Sequence, residues 1–143
     1  MREFSTPLSI EIPTTGNITD DVVANALAAP DRVSFSRPGP DGWEDVTAAE
    51  FLREVGAVAK GLIAAGIEQG DRVALISKTR YEWTLFDYAI WFAGAVSVPI
   101  YETSSAEQVA WILSDSGARV VVAEAERRDK LVVRFNYVSL WDM

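Results

Sequence analysis

The stretch Tyr81 to Ala93, YEWTLFDYAIWFA, constrains this chain more than any other. It has helical composition, and Glu82, Thr84 and Asp87 are its only polar residues apart from the tyrosine hydroxyls. At about 100° per residue those three do not gather on one face, so the helix is apolar nearly all round. Such a helix is buried on all sides and needs structure packed both above and below it.

That is hard to meet in a chain of 143 residues, so the helix is expected to be the buried centre of something larger than this chain, although the segments on either side can be read as packing against it. After the turn Gly70-Asp71, residues Arg72 to Ser77 form a near-continuous apolar strand of the kind covered on both faces in parallel sheets. Ala95 to Ile100 is the next strand, in which Pro99 must lie at an end or where no ladder donor is needed. Arg119 to Ala123 is a third. Thr79 with Glu82 reads as a capping box opening the central helix, and Ser104 with Glu107 as one opening the next. In that next helix Ala106, Val109, Ala110, Ile112 and Leu113 share a stripe, Trp111 lies opposite among Glu107, Ser114 and Asp115, and Gly117 ends it. Capped helix, glycine, apolar strand is the repeat of a βαβαβ sheet with right-handed crossovers. The expected fold is therefore α/β, part of a three-layer doubly wound parallel sheet, preceded by a helix and a short hairpin.

An extended arm is expected over residues 1–16, then a helix capped by Thr19 with Asp20 and Asp21 in its first turn. Val22, Val23, Ala26 and Leu27 are its apolar stripe, and Pro30 ends it. Val33 to Ser36 and Trp43 to Val46 flank Pro38-Gly39-Pro40-Asp41-Gly42, which predicts a β-hairpin. Thr47 and Glu50 form a capping box for a helix whose apolar positions are Phe51, Leu52, Val55, Val58, Ala59, Leu62 and Ile63, ended by Gly66. Gly56 and Gly61 lie inside this pattern with no Lys-Ser or Lys-Thr after them, so they read as helix-packing residues rather than a phosphate loop. Beyond Ala123, Glu124 to Lys130 is charged and helix-prone, and Leu131 to Val138 has strand-like composition. An unpaired apolar strand is an aggregation hazard. The tail, 131–143, is therefore expected either to pair with the sheet or to mark a cut or frame change in the chain.

At 143 residues and 49% hydrophobic composition the chain can bury a real core. A net charge of −8 disfavours a nucleic-acid surface or a general affinity for anionic lipid. Without Cys or His there is no disulfide frame, thiolate or imidazole base, and no His metal site. The lack of Cys permits a cytoplasmic setting, the N-terminal stretch lacks the long apolar core of a signal peptide, and the most apolar run, Ala89 to Val96, is too short to span a bilayer.

In an open parallel sheet, ligands sit beyond the carboxyl ends of the strands. Here those ends are Ser77-Lys78-Thr79-Arg80 and Tyr101-Glu102-Thr103-Ser104-Ser105, each followed by a helix start that favours anions. Lys78 and Arg80 could reinforce such a site, but capping turns with solvated charges account for the same residues and are preferred. Glu82, Asp87, Glu124 and Glu126 are read as solvated or capping carboxylates, and Arg127, Arg128 and Lys130 as surface charge. Trp111 marks either a surface covered by another domain or an isolated exposed aromatic. Phosphate-loop, dinucleotide, nucleophile-elbow and metal-ligand motifs are missing.

A set of segments then carries a resemblance. Trp43-Glu44-Asp45-Val46-Thr47 with Phe51, Gly61-Leu62 to Gly66-Ile67, Gly70-Asp71-Arg72-Val73-Ala74, Tyr81-Glu82-Trp83 and Ala93 to Tyr101 occur in the order seen near the N-terminus of adenylate-forming enzymes. With Tyr101 to Gln108 added, the chain resembles the actinobacterial long-chain fatty-acid–CoA ligases from about Thr19 to Lys130. The resemblance implies an enzyme that uses ATP and Mg²⁺ to make an acyl-adenylate from a fatty acid, then passes the acyl group to coenzyme A. It implies residues 17–130 as the N-terminal part of an AMP-binding domain, with a cytoplasmic or inner-membrane-peripheral location. The family's phosphate loop and lid lysine lie downstream of the matched region. No catalytic, cofactor or metal residue is therefore assigned, and the chain is expected to be inactive alone. Tyr101, Thr103 and Ser104 are the candidates for facing substrate. The competing readings are a non-catalytic α/β binding or interaction module, and one half of a split ligase whose C-terminal part is supplied in the same or another chain.

Overall fold

The computed structural model describes residues 3–7, 9 and 14–124, together with the backbone of 136–139. The chain opens with α1 (Ile18–Ala28), the hairpin β1 (Val33–Gly39) and β2 (Gly42–Thr47), and α2 (Ala48–Ala64). The alternating part follows: β3 (Arg72–Ile76), α3 (Tyr81–Phe92), β4 (Val96–Ile100), α4 (Ala106–Ser116), β5 (Val120–Ala123) and β6 (Asn136–Ser139). Strands β3 to β6 form one parallel sheet in the order β4-β3-β5-β6. The expected α/β fold with hairpin and leading helix is present, and Asn136 to Val138 of the expected tail strand pair in parallel with β5. Residues 125–135 and 140–143 lie outside the described residues, among them Glu126, the basic run and the first part of that tail strand.

The sheet divides two cores because successive strand residues point to opposite faces. Val73 and Leu75 face Phe51, Val55 and Leu62 of α2 with Leu85, Phe86 and Ile90 of α3. Ala74 and Ile76 face Val109 and Leu113 of α4 on the other side. The hairpin and two helices join through rings: Phe51 lies 4.6 Å from Phe35 and 5.6 Å from Tyr88, centroid to centroid. These tilted and edge-on pairs are the favoured aromatic geometries. None of the 12 residues of α3 is exposed, and the cover comes from this chain's own sheet, α2 and hairpin, against the expectation that something larger than the chain was needed.

The helix ends show where local sequence reading slipped. Thr47 and Glu50 do form the box that opens α2, at 3.2 and 2.9 Å. In α1 the cap is Asn17 rather than Thr19: its Oδ1 accepts from Thr19 N–H, and Asp20 accepts from Asn17 N–H, both at 2.9 Å. Asn is the stronger cap of the two, and the box starts two residues earlier. Helix α4 is capped by Ser105 with Gln108 rather than Ser104 with Glu107, because the motif fits two registers one residue apart. Ser104 N–H instead donates to Tyr101 O in the preceding turn. Helix α3 starts at Arg80 with no side-chain cap, because Arg80 takes the Glu82 carboxylate at 2.6 and 3.0 Å. A charge-assisted pair outbids the backbone N–H that Thr79 and Glu82 would have served.

Two stripes are narrower than their sequence suggested: Val23 and Leu27 of α1 and Ile63 of α2 are exposed while their neighbours pack. At the far end of α4, Gly117 takes the expected left-handed conformation at φ 60°. Arg72 reaches across from β3 to donate to the Ser116 and Gly117 carbonyls at 2.8 and 2.9 Å. It thereby satisfies acceptors that a helix end leaves open.

Strand β4 is an edge of the described sheet. Val96 N–H donates inward to Asp71 O, so Val98 and Ile100 also point their N–H groups inward, while Ser97 and Pro99 face outward. Pro99 therefore sits where no ladder donor is needed, and it removes one of the two outward donors of that edge.

Candidate strand-end site

Strands β4 and β5 lie on opposite sides of β3, and α3 and α4 on opposite faces of the sheet, so β3 and β5 flank a topological switch point. The crevice beyond their carboxyl ends is where such sheets bind ligands. It is a cleft of about 510 Å³, to which the β3–α3 turn contributes Lys78, Thr79 and Arg80, strand β5 leads to Glu124, and the hairpin brings Pro38 and Trp43. Trp43 is largely exposed over it.

A network of the chain's own charges occupies the crevice floor. Arg80 Nη1 donates to Glu124 Oε1 at 3.2 Å while its other nitrogens hold Glu82. Lys78 N–H points at Glu124 Oε2 at 3.4 Å. Glu124 is buried, which corrects its reading as a solvated carboxylate: the ion pair with Arg80 compensates its removal from water. Hydrogen bonding to Glu82 raises the Arg80 pKa further above its ordinary value. Burial pushes Glu82 up, but the Arg80 bond and charge outweigh it and hold the carboxyl below its usual range. A second network joins three elements: Tyr81 Oη donates to Glu54 at 2.6 Å and Arg37 Nη1 at 3.2 Å. Burial, then the bond to Glu54, raises the Tyr81 pKa.

On the β4 side of the same turn lies another cleft of about 510 Å³, between Lys78, Thr79 and Trp83 on one wall and Pro99, Tyr101 and Thr103 on the other. Tyr101 and Thr103 are exposed along it. Ser104 is not part of it; it borders a hollow on the outside of α4 with Glu107, Gln108, Trp111 and Ile112. The strand ends thus bring two of the three sequence candidates to one cleft. Trp83 adds to the wall of Lys78 and Thr79, and Pro99 to that of Tyr101 and Thr103, while Trp43 and Glu124 come to the other cleft from distant parts of the sequence.

Asp87, also read as solvated, is buried because α3 has no wet face, and its Oδ1 has no hydrogen-bond partner among the described residues. Among the described residues no group of three or more His, Cys, Asp or Glu could hold a metal ion. The Arg80 guanidinium at the start of α3 is paired with Glu82 and Glu124. These residues do not fit a magnesium triphosphate, and no chemical step is assigned to them.

Fold and site together define a doubly wound α/β domain with clefts at the ends of its parallel strands. The model for the AMP-binding enzyme family matches residues 22–138, and the chain belongs to that family. It is 44% identical over 136 residues to the long-chain-fatty-acid–CoA ligase FadD15 of Mycobacterium bovis, and 43% identical over 136 residues to that of Mycobacterium tuberculosis. Each match takes in 95% of this chain but 23% of the relative, so the chain spans about a quarter of the length of these curated relatives and is homologous to their N-terminal part. An uncharacterized protein of Mycobacterium tuberculosis is 31% identical over 121 residues, or 85% of this chain and 67% of that protein. A structure from Rhodopseudomonas palustris described as a long-chain-fatty-acid CoA ligase superposes with TM-score 0.79 at 27% identity, over 90% of this chain and 34% of that one. The Legionella pneumophila fatty acyl-adenylate ligase shares the fold at TM-score 0.72 and 24% identity, over 85% of this chain and 22% of that one.

Proposed function

We propose that the chain is the N-terminal part of a long-chain fatty-acid–CoA ligase, which converts fatty acid, ATP and CoA to acyl-CoA, AMP and pyrophosphate through an acyl-adenylate. The observation that carries this reading is the 44% identity along 95% of the chain. Residues 17–130 are taken as the N-terminal part of the AMP-binding domain, 1–16 as an arm and 131–143 as a distinct tail; the family match itself runs from 22 to 138. In this reading the described residues supply scaffold and one cleft wall, with Tyr101 and Thr103 facing substrate and Ser104 turned toward the α4 hollow. ATP, Mg²⁺ and CoA are held by other parts of the ligase, and the setting is the cytoplasm or the inner face of the membrane. Among the described residues no helix is long and apolar enough to cross a bilayer. A non-catalytic binding module is not favoured by a match of this extent.

The test is ATP–pyrophosphate exchange with palmitate. The chain alone is expected to give blank-level exchange, and co-expression with the downstream part of a FadD15 relative to restore turnover. Exchange by the chain alone would overturn the division of labour proposed, and failure of every complemented pair would overturn the ligase assignment.

A further inference from the structure

Helix α4 carries Glu107, Trp111 and Asp115 in one line along its outer face, all three exposed. Residues four apart stand one above another on a helix, so the indole lies between two carboxylates. Core packing does not use it: Val109 and Leu113 make the buried face of α4, and Trp111 remains 67% exposed. Beside it Ser104, Gln108 and Ile112 shape a hollow of about 420 Å³. This places a large apolar ring, a hollow and flanking negative charge at one spot, which is the composition of an anchor site rather than of a solvated helix face.

We propose that this stripe docks an arginine-bearing polypeptide segment, the guanidinium lying on the Trp111 ring between the carboxylates of Glu107 and Asp115, with the apolar neighbours of the arginine in the hollow against Ile112. An indole face attracts cations, and guanidinium both stacks and matches carboxylate geometry in a way that ammonium does not. The net charge of −8 steers a basic partner toward the chain. The same charges argue against a second copy, which would set Glu107 and Asp115 against their own equivalents, and against an anionic bilayer. Strand addition along the nearby β4 edge is limited by Pro99, so the contact is made through side chains.

The full chain is titrated calorimetrically with the blocked peptide acetyl-Gly-Leu-Arg-Leu-Gly-amide and its counterpart with Gln in place of Arg, at low and high salt. The arginine peptide is expected to bind, more weakly in high salt, and the Gln peptide about tenfold less tightly. Trp111→Ala is expected to lose about tenfold, and Glu107→Gln and Asp115→Asn about threefold each. Leu27→Ala, at an exposed site on α1, is expected to change nothing. Circular dichroism establishes that each surface variant is folded. The proposal is overturned by an absence of binding at the highest soluble peptide concentration, by equal binding of the Gln peptide, or by unchanged binding to Trp111→Ala. Trp111-dependent dimerisation in light scattering, or Trp111-dependent partitioning onto phosphatidylglycerol vesicles, overturns it as well.

Discussion

Helices α3 and α4 are close in length, at 12 and 11 residues, and each follows a strand of the same parallel sheet, yet their surroundings are opposite. None of α3 is exposed, whereas α4 buries only Val109 and Leu113 and turns Trp111 outward. The cause is the number of layers beyond each. Helix α3 lies between the sheet and a second layer made by α2 and the hairpin, where Phe35, Phe51, Tyr81 and Tyr88 interlock. Helix α4 has the sheet on one side and, among the described residues, solvent on the other. One repeating βα unit therefore yields an inner and an outer helix, and the composition of each helix records which it became.

Exchanging small for large at the two positions breaks the comparison most sharply. Ile90→Ala, at a fully buried site of α3, is expected to cost about 2–5 kcal/mol, while Trp111→Ala changes stability by no more than about 0.5 kcal/mol. Urea midpoints measure both, and equal losses would mean that α4 is covered in solution as α3 is. The starts of the two helices give a smaller contrast. Ser105→Ala is expected to cost about 1 kcal/mol, and Thr79→Ala and Ser104→Ala under about 0.5 kcal/mol each, because only Ser105 serves as a side-chain cap. Thermal melts that ranked Thr79→Ala with Ser105→Ala would restore the capping box at α3 that the Arg80–Glu82 pair replaces.

The smallest effect is one of pH. The folded Glu82 carboxyl titrates below its ordinary 4.5, so its contribution is present above that value and is lost as pH falls through the depressed one. The stability difference between the parent chain and Glu82→Gln is therefore expected to be constant from pH 7 to about 5 and to shrink as acid is added below that. A difference that grew in acid would reverse the sign of the Arg80–Glu82 interaction.

The layers were legible before the structure because burial writes itself into composition. The nearly all-apolar Tyr81 to Ala93 stretch announced a buried helix, though not that this chain would itself cover it, and Trp111 among polar neighbours marked an outer face without deciding what lies against it. Strand identities followed from apolar runs bounded by glycine turns. The helix caps were less legible because Ser104-Ser105 and Asn17-Ile18-Thr19 offer competing registers, and local pattern does not weigh one acceptor against another. The carboxylates misled for a different reason. Asp87 and Glu124 look alike in sequence, and only the packing of α3 and the reach of Arg80 across 44 positions decide that both are buried and that one is paired. The clefts were half legible, since Tyr101 and Thr103 lie at a strand end that sequence identifies, while Trp43 arrives from the hairpin by folding alone.

Pro99, turned outward on β4, has a consequence for how such a chain is made. A protein emerging from the ribosome presents its N-terminal strands before its later ones exist, at a time when neighbouring nascent chains on the same message carry identical strands. An open strand edge at that stage invites pairing between copies. With one of its two outward N–H groups removed, β4 is a poorer template, whereas β5 on the other side of β3 offers a continuous ladder to β6. Pro99 thus weakens one edge of the described sheet as a template while β6 pairs beyond β5 on the other side.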